Sequence, residues 1–187
     1  AYNETCAAIS MVYLFERMFL LHGESKYIDC MERTLYNGVI SGMSMDGGRF
    51  FYPNPLSSDG KYKFNADGNT TRQPWFGCAC CPSNLCRFIP SVPGYLYGVK
   101  DNNIYVNLFA GNTSTIKVNG KDVVLEETTE YPWNGDIKIA VKKSGVKKAN
   151  LLVRIPGWVR NQVVPSDLYK YSRSEERRVG KECRSRW

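Results

Sequence analysis

Apolar residues recur at three- and four-residue steps through the first forty positions of the chain and at two-residue steps after position 94. Met11, Leu14, Phe15, Met18 and Leu21 fall close to i, i+3, i+4, i+7, the spacing of one face of a helix. This predicts a helix over residues 5–22, stopped by Gly23. Val12, Phe19 and Leu20 add apolar surface on its other sides, so the helix is expected to be mostly buried. The longest apolar stretch, Ala7 to Phe15, is too short to span a bilayer and is followed by Glu16 and Arg17. A second helix is predicted over residues 25–41, with Ile28, Met31, Leu35 and Val39 on its inner face. Glu32 lies inside that stripe. A carboxylate there either meets a polar group in the interior or sits at a solvated edge. Two helices cannot cover both faces of such apolar segments, so the helical part is expected to be incomplete.

Residues 42–74 are rich in Gly, Pro and Asn, with a short extended piece, RFFYPNPL, and a loop, SSDGKYKFNADGNTTRQP. The stretch CPSNLCRFIPSVPGYLYG has room for a helical turn or two before Pro90 and Pro93. Beyond Gly94, Ile104, Val106 and Leu108 alternate with Tyr105, Asn107 and Phe109. STIKVNGKDVVL reads as a hairpin whose Asn119-Gly120 suits a type I′ turn. Ile137, Ile139 and Val141 alternate with lysines, and Leu151, Val153 and Ile155 form a further strand pattern. The expected class is α+β: a helical part over 1–93 and an antiparallel β-sandwich over 94–172.

Composition adds a core of adequate size, with 43 % hydrophobic residues, and a formal charge of +7. The charge does not indicate a nucleic-acid partner, because it is concentrated at the end. Residues 173–187, RSEERRVGKECRSRW, hold six basic and three acidic side chains without periodicity. They resemble the conceptual translation of a sequencing adapter and are excluded as an artefactual tail. Without them the charge is 7 − 3 = +4 and the cysteine count 7 − 1 = 6. The opening AYNETCAAIS has no initiator methionine and no signal pattern, which is expected of a gene fragment. No membrane and no nucleic acid are implied. Oligomeric state is not legible, and the compartment reads as cytoplasmic or periplasmic in a bacterium.

The candidate chemistry lies in WFGCACCPSNLCRF, which places Cys78, Cys80, Cys81 and Cys86 within nine positions. Thiols at this density serve a metal, disulfides or covalent chemistry. The spacing C-x-C-C-x4-C lacks the second pair of a zinc ribbon, so further ligands would come from elsewhere in the chain. Glu4 and Cys6 are available donors. Two residues apart on a regular helix they diverge, and they converge only from an unwound helix start. Alternatively Glu4 complements the helix dipole and Cys6 is a small buried hydrophobe. His22, the single histidine, reads as structural or exposed. Trp75 and Trp158 offer faces on which a sugar can stack, and Trp158 also suits packing.

AYNETCAAI, LYNGVISG, RFFYPNPL, WFGCACCPSNLCRFIPSVPGYLYG and LLVRIPGW together resemble bacterial glycoside hydrolase family 127 and its relative, family 146, the β-L-arabinofuranosidases. The resemblance covers nearly all of residues 1–160. It implies the last helices of an (α/α)6 barrel followed by a β-sandwich. It further implies Zn²⁺ held by Glu4, Cys6, Cys80 and Cys81, with Cys80 also the nucleophile of a retaining hydrolysis. Glu32 and Tyr52 match substrate-binding positions. The implied substrate is a plant-type arabinose-containing oligosaccharide or glycan. The family's acid/base glutamate precedes the ETC motif, so this chain is expected to lack it and to be inactive alone, whereas its parent is an enzyme. The competing reading is a structural zinc–cysteine site in a carbohydrate-binding or scaffold module. Cys30, Cys78 and Cys86 receive no role.

Overall fold

The computed structural model describes residues 3–160 and 162. The adapter-like tail at 173–187 and the expected sandwich end at 172 lie outside the described residues. The chain divides into two compact units at Pro93/Gly94.

The first unit is built on three helices: α1 (Thr5–His22), α2 (Ser25–Thr34) and α3 (Cys80–Phe88). Gly23 ends α1 at φ 69°, where its N–H bonds Phe19 O at 2.7 Å; glycine takes that left-handed geometry without a Cβ penalty. The face of α1 that packs is Thr5, Ala8, Ile9, Val12 and Phe19. This corrects the expected stripe, since Met11, Leu14 and Leu21 are 41, 50 and 76 % exposed. A helix apolar on all sides gives periodicity no way to choose a face; the neighbours decide. By length and composition alone α1 is sufficient to cross a bilayer, contrary to the shorter stretch read from the sequence. A core helix passes the same test.

The second helix keeps its predicted face, with Ile28, Met31, Leu35 and Val39 all buried. Its regular part ends at Thr34, passing into a π turn at Leu35–Val39 and a 3-10 turn at Ile40–Gly42. The buried Asn54 explains part of the irregularity: its amide donates to Gly38 O at 3.3 Å and Ser41 Oγ at 2.8 Å. A polar side chain inserted at a helix end satisfies carbonyls that the widened turn releases. Gly38 lets α1 approach closely, since a Cβ there would meet Ala8 Cβ at 2.9 Å.

The segment after α2 runs back along the start of α1 rather than forming a free loop. Phe50 bridges Met43 and Gln73, and Pro53 pairs with Glu4. Arg72 donates from its guanidinium to Ser41 O at 2.6 Å and lies 4.4 Å over the Phe51 ring. Helix α3 is longer than a turn or two, and a 3-10 stretch, Ile89–Tyr95, follows it with Pro93 inside.

Among its described residues the second unit holds two three-stranded sheets. The first orders β1 (Tyr97–Lys100), β2 (Asn103–Val106) and β6 (Asn150–Val153). The second orders β3 (Asn112–Val118), β4 (Lys121–Thr129) and β5 (Ile137–Ser144). Ile104 from the first sheet packs with Ile116, Val118, Val123 and Leu125 from the second, which is sandwich packing. Asn119 and Gly120 both have positive φ, 49° and 75°, as the predicted I′ hairpin requires. Pairing is antiparallel except that β6 joins β2 in parallel. The outer strands are wetter than their alternation predicts: Val141 is 60 % exposed and Leu151 41 %. Edge strands have one flank without a partner. Glu127 of β4 is buried at 2 % exposure. Its Oε2 accepts from the Tyr97 hydroxyl at 3.1 Å, and that hydroxyl accepts from Asn112 Nδ2 at 3.1 Å.

Candidate metal centre

The site forms where the beginnings of two helices meet. Glu4 precedes α1 in extended geometry, φ −92° and ψ 136°, and makes no side-chain capping bond to the helix. The extended residue breaks the helical divergence between positions 4 and 6. Their backbone is fixed from the other side: Thr5 N–H donates to Tyr52 O at 3.0 Å, and Thr5 Oγ1 to Phe51 O at 3.0 Å. Thr5 is fully buried, so this polar anchor is shielded from competing water. Gly42 closes on it from a third direction. A Cβ at Gly42 would stand 3.0 Å from Thr5 Oγ1 and 3.3 Å from its Cγ2.

Cys80 and Cys81 are the first two residues of α3, after Ala79 at φ −88°, ψ 30°. A helix N-terminus presents unpaired N–H groups and the positive end of the dipole, which favours thiolate. Cys81 is fully buried and its sulfur lies 3.8 Å from Tyr52 O. Cys80 is partly exposed and its sulfur lies 3.9 Å from that of Cys81.

The structure therefore brings four predicted donors together. One ligand atom from each of Glu4, Cys6, Cys80 and Cys81 lies within 4.8 Å of all the others. A tetrahedral zinc with bonds of about 2.3 Å to sulfur sets neighbouring sulfurs about 3.8 Å apart. The Cys80–Cys81 distance meets that spacing, and small inward movements bring the remaining donors to it. Three thiols and one carboxylate are also a donor set suited to zinc. The residues fit the ion. The six cysteines among the described residues are all free, so the disulfide alternative finds no support there.

The thiols are not equivalent. The Tyr52 hydroxyl, hydrogen-bonded to Cys80, holds that thiol below its ordinary range, against a smaller opposing effect of burial. The same bond, together with the negative charge of Glu4, pushes the Tyr52 phenol up. Burial pushes Cys81 up, and it does the same to Cys6, where hydrogen bonds from Asn84 and Cys81 work against it. Among the three, only Cys80 is held below its ordinary range, and like Cys6 it is partly exposed. The arrangement can hold a soft divalent cation, and it can present one activated sulfur.

Glu32 and Tyr52 diverge in placement. Tyr52 contacts Cys80, and its ring meets Phe76 edge-on at 6.1 Å. Glu32 is buried at 6 % exposure on α2 and is not one of the four clustered donors. His22 is exposed, with its ring 5.6 Å from that of Tyr27. Sequence reasoning overlooked Asn84, which bonds Cys6, and Thr5, which anchors the segment between two donors. Asn84 was accessible, since it follows Cys80 by four positions and so shares its helix face.

Comparison with known proteins follows the same outline. Residues 1–94 match the family described as beta-L-arabinofuranosidase, GH127 catalytic domain, and residues 103–172 match its GH127 middle domain. A non-reducing end beta-L-arabinofuranosidase of Bifidobacterium longum subsp. longum is 33 % identical over 167 residues, 85 % of this chain and 25 % of the relative. A solved GH127 beta-arabinofuranosidase superposes with a TM-score of 0.84 at 57 % identity, covering 94 % of this chain and 26 % of that one. A GH127 beta-L-arabinofuranosidase from Geobacillus stearothermophilus T6 gives a TM-score of 0.74 at 42 % identity, covering 84 % and 25 %. The chain thus spans about a quarter of the length of these relatives.

Proposed function

This chain belongs to the GH127 β-L-arabinofuranosidase family, and from that premise we propose that the full-length protein carrying it releases L-arabinofuranose from β-L-arabinofuranosides. In this reading Glu4, Cys6, Cys80 and Cys81 hold Zn²⁺, and Cys80 is the nucleophile of a retaining hydrolysis. The observation that carries it is the meeting of these four side chains, drawn from two distant segments, with the lowered thiol at Cys80. A Zn²⁺ ion held by these four residues would favour the thiolate form of its sulfur ligands.

Cys80 attacks the anomeric carbon, so that a carbon–sulfur bond forms as the glycosidic carbon–oxygen bond breaks. Water then displaces the sulfur from the opposite side, and two inversions give net retention. Sulfur takes the place of the carboxylate nucleophile of most retaining glycosidases. Tyr52 steadies Cys80 through its hydroxyl and, in this reading, serves as a partner for a furanose hydroxyl. Glu32 supplies a buried carboxylate for sugar hydroxyls. The resemblance assigns the proton donor for the leaving oxygen to a glutamate preceding the Glu4-Thr5-Cys6 motif. The substrate class is an arabinose-containing oligosaccharide or glycan.

The test is hydrolysis of p-nitrophenyl β-L-arabinofuranoside by the full-length protein. Cys80→Ser is expected to abolish turnover, and a reactive arabinofuranosyl inhibitor to leave its mass on Cys80. The 187-residue chain alone is expected to show none. Undiminished turnover by the serine variant refutes the nucleophile, and a full-length protein that binds zinc without any hydrolysis supports a purely structural site instead.

A further inference from the structure

The segment that follows Tyr52 folds back on itself and forms a cleft of about 500 Å³, within the range of about 300–1,000 Å³ usual for small-molecule sites. Its lining is divided by chemistry. Pro53, Pro55, Tyr62 and Phe64 supply apolar rings, and Asn3, Ser57, Ser58 and Asp59 supply an amide, two hydroxyls and a carboxylate. The walls are fixed by local bonds. Asp59 Oδ1 accepts from the backbone N–H of Tyr62 at 2.8 Å and of Lys61 at 2.9 Å, and Ser58 Oγ accepts from Gly60 N–H at 3.1 Å. Asn3 is tied to Asn54 twice: Asn54 N–H donates to Asn3 O at 2.5 Å, and Asn3 Nδ2 donates to Asn54 O at 3.0 Å. The Phe64 ring rests 5.3 Å from that of Phe51. Tyr62 is left 73 % exposed, an aromatic face beside hydrogen-bonding groups. Such a lining suits a ligand with an apolar face and a polar edge.

A neutral sugar has that form. Its ring carries C–H groups on the faces, which pack on Tyr62 and the prolines, and hydroxyls round the edge, which both donate and accept. Asp59 spends one carboxylate oxygen inside the loop and has the other to accept from a hydroxyl, in the stronger charge-assisted kind of bond. It is the single charged side chain among the described residues that line the cleft, so phosphate and carboxylate ligands are repelled. The location is equally informative. Pro53, in the wall of the cleft, is bridge-paired with Glu4, and Asn3 precedes Glu4 in the chain. Paired Cα atoms of an antiparallel bridge lie about 5 Å apart, so the cleft begins a step comparable to one sugar ring from the metal centre.

We propose that this cleft is a second sugar site, which holds the neutral sugar unit attached to the arabinofuranose whose bond is cleaved. The arabinofuranosyl ring lies at Cys80, and the next unit reaches past Glu4 and Pro53. Its face packs on Tyr62, and Asp59 accepts from its hydroxyls. Binding of a neutral sugar in the cleft stands on the lining alone; the assignment to the leaving side rests on the proposed function. These contacts lie away from the reacting carbon, so they discriminate between substrates by the second unit.

The experiment uses the full-length protein and two compounds: a disaccharide of β-L-arabinofuranose linked to arabinose, and methyl β-L-arabinofuranoside, whose leaving group is too small to reach the cleft. Tyr62→Ala is expected to lower the ratio of kcat/KM for the disaccharide to kcat/KM for the methyl glycoside by about three- to tenfold, the worth of one aromatic contact. Asp59→Asn, which keeps an acceptor for the loop N–H groups, should lower the ratio in the same direction, and it decides the matter should Tyr62→Ala not fold. Leu56→Ala, 85 % exposed in the same segment but outside the lining, is the control and should leave the ratio as it is. An unchanged ratio in the cleft variant, including an equal loss on both compounds, would overturn the proposal. Calorimetric titration of the Cys80→Ser protein with the disaccharide reads binding without turnover. Weaker binding by a similar factor once Tyr62→Ala is added supports the site, and no binding or no difference overturns it. Failure to hydrolyse either compound, with that weakening still seen, would remove the proposed function and keep the sugar site.

Discussion

Gly42→Ala should weaken the fold and the metal centre together, although residue 42 touches no proposed ligand. The new methyl group would lie 3.0 Å from Thr5 Oγ1 and 3.3 Å from Thr5 Cγ2, where ordinary contacts lie at about 3.5–4.0 Å. Thr5 cannot turn aside freely, because it is fully buried and bonded through its N–H and hydroxyl to the 51–52 backbone. Overpacking of this kind costs about 1–3 kcal/mol. Relief requires Thr5 to move by a few tenths of an ångström, and Thr5 is the peptide neighbour of both Glu4 and Cys6. A metal site tolerates about 0.2 Å in its ligand distances. Urea unfolding of the metal-free chain should therefore show a loss of about 1–3 kcal/mol. A competition titration with a zinc chelator should show weaker binding, and the stabilisation by zinc should shrink with it. Gly94→Ala, where nothing lies within 4 Å of the new Cβ, is the control and should change stability by no more than about 0.5 kcal/mol. A Gly42→Ala chain with unaltered unfolding and unaltered zinc affinity would refute the argument that the added methyl displaces Thr5.

Two further predictions concern the sandwich. Burial holds the Glu127 carboxyl above its usual range, so the folded state binds that proton more tightly than the unfolded one. Its contribution is then fully present below the unfolded carboxyl value of about 4.3 and lost as pH rises through the folded value. Unfolding in urea should accordingly show this term strengthening on acidification from neutral pH, and Glu127→Gln should remove it; an identical pH dependence in both chains would contradict the assignment. Gly120 has φ 75° in the hairpin turn, so Gly120→Ala should cost about 1–2 kcal/mol from left-handed strain, seen as a lower thermal midpoint, and an unchanged midpoint would place the strain elsewhere.

Local order was the legible part of this sequence. The 3.6-residue period and Gly23 gave the limits of α1, and Asn119-Gly120 gave the hairpin, because both signals are written in neighbouring residues. Choice of face was not legible on α1, where apolar side chains surround the axis. The π turn after Thr34 is bonded by Asn54, a side chain from a separate segment, and no window of sequence around the helix contains it. The parallel seat of β6 beside β2 likewise depends on where the chain returns. At the metal centre, spacing alone left Glu4 and Cys6 balanced between capping, packing and ligation; the resemblance supplied the quartet. The contact of Tyr52 with Cys80 joins residues 28 positions apart (80 − 52), through backbone bonds that are invisible before folding.

The two pairs of donors also impose an order of events. Cys6 and Cys80 are 74 residues apart (80 − 6), and drawing such a length of unfolded chain into a ring costs about 4 kcal/mol of entropy. That is about a thousandfold in affinity. An ion meeting the nascent polypeptide would gain only two adjacent sulfurs, or one sulfur and one carboxylate. The scaffold of Thr5, Gly42 and the 50–54 segment removes this handicap by closing the ring before any cation arrives. Were zinc to bind as proposed, loading would follow folding, because the packed helices already hold the two pairs of donors together.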